Sequence, residues 1–63
     1  MIVRVTNLYS GTVRTFQGDP EQVQRQLRHQ YGWLRHRAPD DTLQQDLARL
    51  HRAQALLVEV DGG

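Results

Sequence analysis

The chain has no cysteine among its 63 residues, which excludes a disulfide staple, a thiolate nucleophile and a cysteine-based zinc site. Lysine is missing as well, so all eight basic residues are arginine, whose planar guanidinium suits bidentate and stacked contacts better than an ammonium does. No apolar run approaches the ~20 residues of a membrane-spanning helix. The N-terminus opens on a strand-like pattern instead of a signal peptide, so a cytoplasmic protein with no membrane partner is expected. A net charge of +1 is too small to argue for nucleic acid by itself. A chain this short buries only ~60% of its unfolded surface, which leaves a thin core and little room for an enclosed active site.

Within those limits the pattern of elements is readable. Residues 1–8 (MIVRVTNL) and 12–17 (TVRTFQ) are β-branched and roughly alternating, and Ser10-Gly11 lies between them, as in a β-hairpin. A two-residue Ser10-Gly11 turn would pair Val5 with Phe16 and Leu8 with Val13. In that register Val3, Val5 and Phe16 face the helices, while Ile2, Arg4, Thr6, Leu8, Val13 and Thr15 take the opposite face.

The stretch GDPEQVQRQLRHQYGWLRHR, residues 18–37, holds the clearest helix start, with Asp19 as N-cap, Pro20 at the first helical position and Gln22 closing a capping box. Val23, Leu27 and Tyr31 recur at helical spacing, with Leu34 next along the stripe, and Gly32 reads as the stop. Residues 35–39 then form a connector, because Pro39 disfavours helical geometry at Ala38 and Asp40 or Asp41 caps the next helix. That second helix covers residues 42–53, with Leu43, Leu47, Leu50 and Gln54 on one stripe. Residues 55–60 read as a strand, and residues 61–63 as a frayed tail.

The expected fold is therefore one α+β domain over residues 1–63, in the order ββααβ. Its three-stranded mixed sheet has strand order 2-1-3, with the last strand parallel to the first through a right-handed crossover and both helices packed on one face. The expected core is Val3, Val5, Phe16, Val23, Leu27, Leu43, Leu47, Leu50, Leu56 and Val58. The open sheet face mixes Ile2, Leu8, Val13 and Leu57 with Arg4 and Glu59, and in so small a chain such a face suits a homodimer or a partner protein.

A second candidate surface is the basic stretch containing Arg25, Arg28, Arg35 and Arg37, with Trp33 among them and no acidic residue from Gln22 to Pro39. Guanidinium groups for phosphates and an aromatic plane for bases are the ingredients of single-strand binding. A solvated helix face beside a core tryptophan explains the same residues more simply. His29, His36 and His51 fit no zinc spacing, and Ser10 has no neighbouring base, so neither a metal site nor a catalytic group is expected.

The ending VEVDGG, taken with the hairpin around Ser10-Gly11 and the helix from Pro20, resembles the outline of ubiquitin-like sulfur carriers and modifiers. That resemblance implies a tail, Gly62-Gly63, activated at its terminal carboxylate. The leading expectation is nonetheless a non-enzymatic protein-interaction or regulatory module that self-associates, without cofactor or small-molecule substrate. Nucleic-acid binding through residues 25–37 ranks second, and the modifier third.

Overall fold

The computed structural model describes residues 1–37, 39–53 and 56–61. Expectations that fall on Ala38, Gln54, Ala55, Gly62 and Gly63, and on the side chains of Arg37 and Leu56, lie outside the described residues. Six elements are arranged in the order β1 (Ile2–Asn7), β2 (Val13–Gln17), α1 (Pro20–Gln30), α2 (Trp33–Arg37), α3 (Leu43–Arg52) and β3 (Leu56–Asp61).

The sheet has the expected order β2-β1-β3, but it is wholly antiparallel and not mixed. β3 starts beside Asn7 and ends with Asp61 opposite Ile2, so it runs against β1 and Asp61 belongs to the strand instead of a frayed end. The reason is a count of traverses. β2 delivers the chain to the Ile2 end of the sheet, and two equal antiparallel helices would have returned it there. The connector proves to contain a further helix, α2, which starts at Trp33. The helical segment as a whole makes one net crossing to the Asn7 end.

The hairpin register also differs. Val3 pairs with Phe16 and Thr6 with Val13, and the turn spans residues 8–11, closed by bonds from Asn7 N to the Thr12 carbonyl at 2.9 Å and from Gly11 N to the Asn7 carbonyl at 2.8 Å. The Asn7 side chain sets this longer turn, because its Oδ1 accepts from the backbone of Tyr9 at 2.9 Å and Ser10 at 3.1 Å. Gly11 supplies the positive φ of +74°. Every strand residue keeps its expected face, since the register moved by two residues and the side-chain period is two. Leu8, however, leaves the sheet for the turn and is 62% exposed.

Helix α1 starts as its sequence demands. Asp19 Oδ1 accepts from Gln22 N at 2.8 Å, and Asp19 N donates to Gln22 Oε1 at 2.9 Å. Gly18 precedes this box with φ +141°, and a Cβ there would stand 2.6 Å from Gln22 Oε1, so a side chain would strain the backbone and displace the cap. Gly32 comes directly after the C-cap Tyr31, but it is not one of the glycines with positive φ. The chain does not stop there: Leu34 N bonds back to the Tyr31 carbonyl at 3.0 Å and leads into α2. Helix α3 is capped by Thr42, whose Oγ1 accepts from Gln45 N at 3.3 Å while its own N–H reaches Gln45 Oε1 at 2.8 Å. Thr42, and not Asp40 or Asp41, closes this capping box; the Asp41 carboxylate is engaged by Arg49 Nε instead.

The helices cover one face of the sheet, and the molecule is a thin slab of 29 × 28 × 16 Å. Val3, Val5, Phe16, Val23, Leu27, Leu34 and Leu50 form the buried cluster, with Met1, Tyr31, Leu43, Leu47 and Val58 packed partly buried around it. Leu43, Leu47 and Val58 thus line the core instead of filling it, and Leu34 takes a fully buried place. Deleting a completely enclosed side chain leaves a cavity, whereas a half-buried one has little to leave. Leu50→Ala is therefore expected to cost ~2–5 kcal/mol, and Leu47→Ala clearly less, in parallel urea titrations. Equal losses would show that α3 is docked on a different face.

Candidate interaction surfaces

The strongest polar contacts of the molecule are internal. Asp46 sits on the inner stripe of α3, three residues after Leu43 and four before Leu50, and is completely buried. A buried carboxylate is costly unless paired and hydrogen-bonded. Arg28 of α1 meets that demand: its Nε donates to Asp46 Oδ2 at 2.9 Å and its Nη2 lies 3.4 Å from Oδ1. The same guanidinium donates to the carbonyls of Pro39 at 2.6 Å and Asp41 at 2.9 Å. Gln24, one turn earlier, donates to the Asp41 carbonyl at 2.7 Å and to Asp46 Oδ2 at 3.0 Å. The hydrogen bond to Asp46 raises the Arg28 pKa above its already high ordinary value, against the opposing effect of burial.

This arrangement breaks up the expected basic patch. Arg28 is turned inward, with 16% of its side chain exposed, and is not available to a phosphate. Arg25 and Arg35 remain exposed. Trp33 is 37% exposed, so it is neither a core residue nor stacked beneath the helix stripe; Leu34 fills that place. The fold instead seats Trp33 in a cleft of about 230 Å³ with Arg49, Arg52 and Ala53. Arg49 is engaged there by Asp41, with Nε to Oδ2 at 2.6 Å. Sequence reasoning missed Arg49 and Arg52 as neighbours of Trp33 because they lie on another helix.

The remaining chemical candidates find no support in the geometry. Among the described residues no three histidine, aspartate or glutamate side chains come close enough to hold a metal ion. Ser10 Oγ donates to Thr12 Oγ1 at 2.9 Å inside the turn. The nearby Tyr31 is half-buried with its ring 6.2 Å from that of Phe16, and burial pushes its phenol pKa up against the counteracting charge of Arg14. No helix among the described residues is long and apolar enough to cross a membrane.

The face of the sheet turned away from the helices has a simple pattern. Three rows cross it: Gln17–Ile2–Asp61, Thr15–Arg4–Glu59 and Val13–Thr6–Leu57. The last row is the most apolar, with Val13 55% and Leu57 39% exposed, and Leu8 and Tyr9 of the turn lie exposed at the same end of the sheet. Arg4 and Glu59 stand directly opposite each other on neighbouring strands, a meeting that the 2-1-3 order allows. Of the residues expected on this face, Ile2, Arg4, Val13, Leu57 and Glu59 are brought together, and Leu8 borders them from the turn.

Compared with protein-family models, with curated proteins and with solved structures, the chain matches none. Its surfaces therefore have to be read from their own chemistry.

The clamp makes an ordered prediction. Asp46→Ala removes the hydrogen bonds from Arg28 and Gln24, an expected loss of about 1–3 kcal/mol, and leaves a guanidinium that can turn toward water. Arg28→Ala leaves the carboxylate buried with Gln24 as its remaining side-chain partner, so it is expected to lower the melting temperature further. The reverse order in thermal melts would contradict the clamp.

Proposed function

We propose that this protein is a non-enzymatic protein-interaction module that associates with itself through the uncovered face of its sheet. The observation that supports the reading is the one-sided packing: both long helices lie against Val3, Val5 and Phe16, and an apolar row, Val13–Thr6–Leu57, stays exposed on the other side beside the charged row of Arg4 and Glu59. A two-fold interface is self-complementary, so whatever one protomer offers must suit its own copy. Arg4 and Glu59 on one row satisfy that condition with a two-fold axis that runs along the strands between β1 and β3, which sets Arg4 of one protomer against Glu59 of its partner. The ion pairs found among the described residues, Arg28 with Asp46 and Arg49 with Asp41, are spent on holding the fold, which favours binding over catalysis. A regulatory role arises if dimer and partner compete for the face.

Sedimentation at micromolar concentration is expected to show a dimer that Val13→Glu and Leu57→Glu each dissociate. Arg4→Glu should weaken it and the double change Arg4→Glu, Glu59→Arg should restore it, since only the double variant keeps opposite charges in contact. A parent chain that remains monomeric at millimolar concentration would refute this reading.

One observation favours nucleic-acid binding as a second reading: the exposed Trp33 edge shares its cleft with two guanidinium groups. Titration of single-stranded oligonucleotides at low salt, monitored by Trp33 fluorescence, tests it. Saturation with a salt dependence that Arg52→Ala flattens by about one unit of log-log slope would support that reading, and an unchanged spectrum would end it.

A further inference from the structure

The outer edge of β2 leaves backbone hydrogen-bonding groups open. Antiparallel pairs alternate between residues that exchange hydrogen bonds and residues that do not. The bonds from Asn7 N to the Thr12 carbonyl at 2.9 Å and from Gly18 N to the Met1 carbonyl at 3.2 Å place the hydrogen-bonded pairs at the odd-numbered residues of β1, Val3 with Phe16 and Val5 with Arg14 among them. Val13, Thr15 and Gln17 therefore direct their N–H and C=O groups away from β1. The Gln17 carbonyl is taken by Gln26 Nε2 at 2.9 Å. Those of Val13 and Thr15 have no partner among the described residues, and every residue of β2 except Phe16 is exposed.

Beside this edge runs a groove of about 500 Å³, between β2 and α1. Phe16 is its apolar floor, Arg25 and His29 stand one turn apart on its helical wall, and no acidic side chain lines it. Arg14 lies on the same side of β2 as Phe16, two residues earlier. Arg25 has no ion pair among the described residues. An unpaired strand edge next to a groove of positive charge calls for a particular kind of occupant.

We propose that the β2 edge and α1 form a docking groove for an extended, acidic segment of a partner protein, bound antiparallel to β2 as a fourth strand. Backbone bonds to Val13 and Thr15 supply affinity without regard to sequence, and the alternate side chains supply specificity. On the helix side an apolar residue covers Phe16, and acidic residues on either side of it meet Arg14 and Arg25. The other set of side chains extends the rows of the open face. This inference rests on the protein-interaction reading but not on self-association, because the groove lies on the helix side of the sheet.

The probe is the acetylated and amidated peptide Glu-Thr-Val-Thr-Glu-Thr, whose last two threonines fall opposite Thr15 and Val13 while its valine lies opposite Phe16 and its glutamates flank the valine on the helix side. Amide NMR spectra of the full chain are expected to show saturable shifts at Val13, Thr15 and along Arg25 to Gln30. N-methylating the two threonines opposite Thr15 and Val13 removes the donors to the open carbonyls of β2 and should weaken binding by ~10-fold or more. Thr15→Pro should do the same, since Thr15 donates nothing to β1 and an edge proline is tolerated when its N–H side faces solvent. If that variant does not fold, the methylated peptide decides the point alone. Arg25→Glu should transfer preference to Lys-Thr-Val-Thr-Lys-Thr.

Leu57→Glu, on the far strand, separates the two readings: it should abolish dimerisation and leave peptide affinity unchanged. Equal affinity for the methylated peptide, shifts confined to the open sheet face, no saturation at millimolar peptide, or an oligonucleotide occupying the groove in the peptide's place would each overturn the proposal.

Discussion

The buried carboxylate of Asp46 is the constraint on which the rest of the structure depends. Placed among leucines on the inner stripe of α3, it has to be neutralised and hydrogen-bonded where water cannot reach. Only a long, multidentate donor from another element can do this, and Arg28 reaches it from α1. A guanidinium offers five donors in a fixed fork, so one side chain also collects the carbonyls of Pro39 and Asp41. The connection between the helices is thereby tied to the same point that fixes α1 against α3. An ammonium, with its single compact head, could not span those acceptors together.

That junction has consequences for the sheet. With α3 locked to α1 and its start held by the Thr42 cap, the chain leaves α3 at the Asn7 end, and β3 can only descend antiparallel to β1. β1 becomes the central strand, protected on both edges, while β2 and β3 each keep an open edge. A three-stranded sheet covered on one side has more unsatisfied surface than its helices can hide, and natural sheets usually manage such edges explicitly. Here β3 carries Glu59 and Asp61 toward the open face, but β2 offers a groove instead of a block. The surfaces assigned to association arise from this shortage of cover.

The charge of the chain is likewise partitioned by packing. Of the arginines that look equivalent between residues 25 and 37, Arg28 holds the structure together, and Arg25 borders the β2 groove. Trp33 is set beside Arg49 and Arg52 of another helix. A run of like charge in a sequence is thus a poor guide to a surface, because a helix distributes it around its circumference and buried acids withdraw members from it.

The sequence by itself determined what is local. The Asp19-Pro20-Gln22 box, the alternation of Val3, Val5 and Phe16, the stripe of Val23 and Leu27 and the strand ending in VEV are set by dihedral preference, capping chemistry and period, all of which act within a few residues. Hence the element types, the strand order and which sheet face is buried were legible, and with them the membership of the open face. Even Asp46 was visible in principle, as a carboxylate at core spacing between Leu43 and Leu50. What tertiary structure alone decided is nonlocal: the direction of β3, the additional helix α2 that turns Leu34 inward and Trp33 outward, the pairing of Arg28 with Asp46, and the groove between β2 and α1. Each of these depends on how two segments far apart in the chain share one buried volume or one set of hydrogen bonds, and no window of neighbouring residues contains that information.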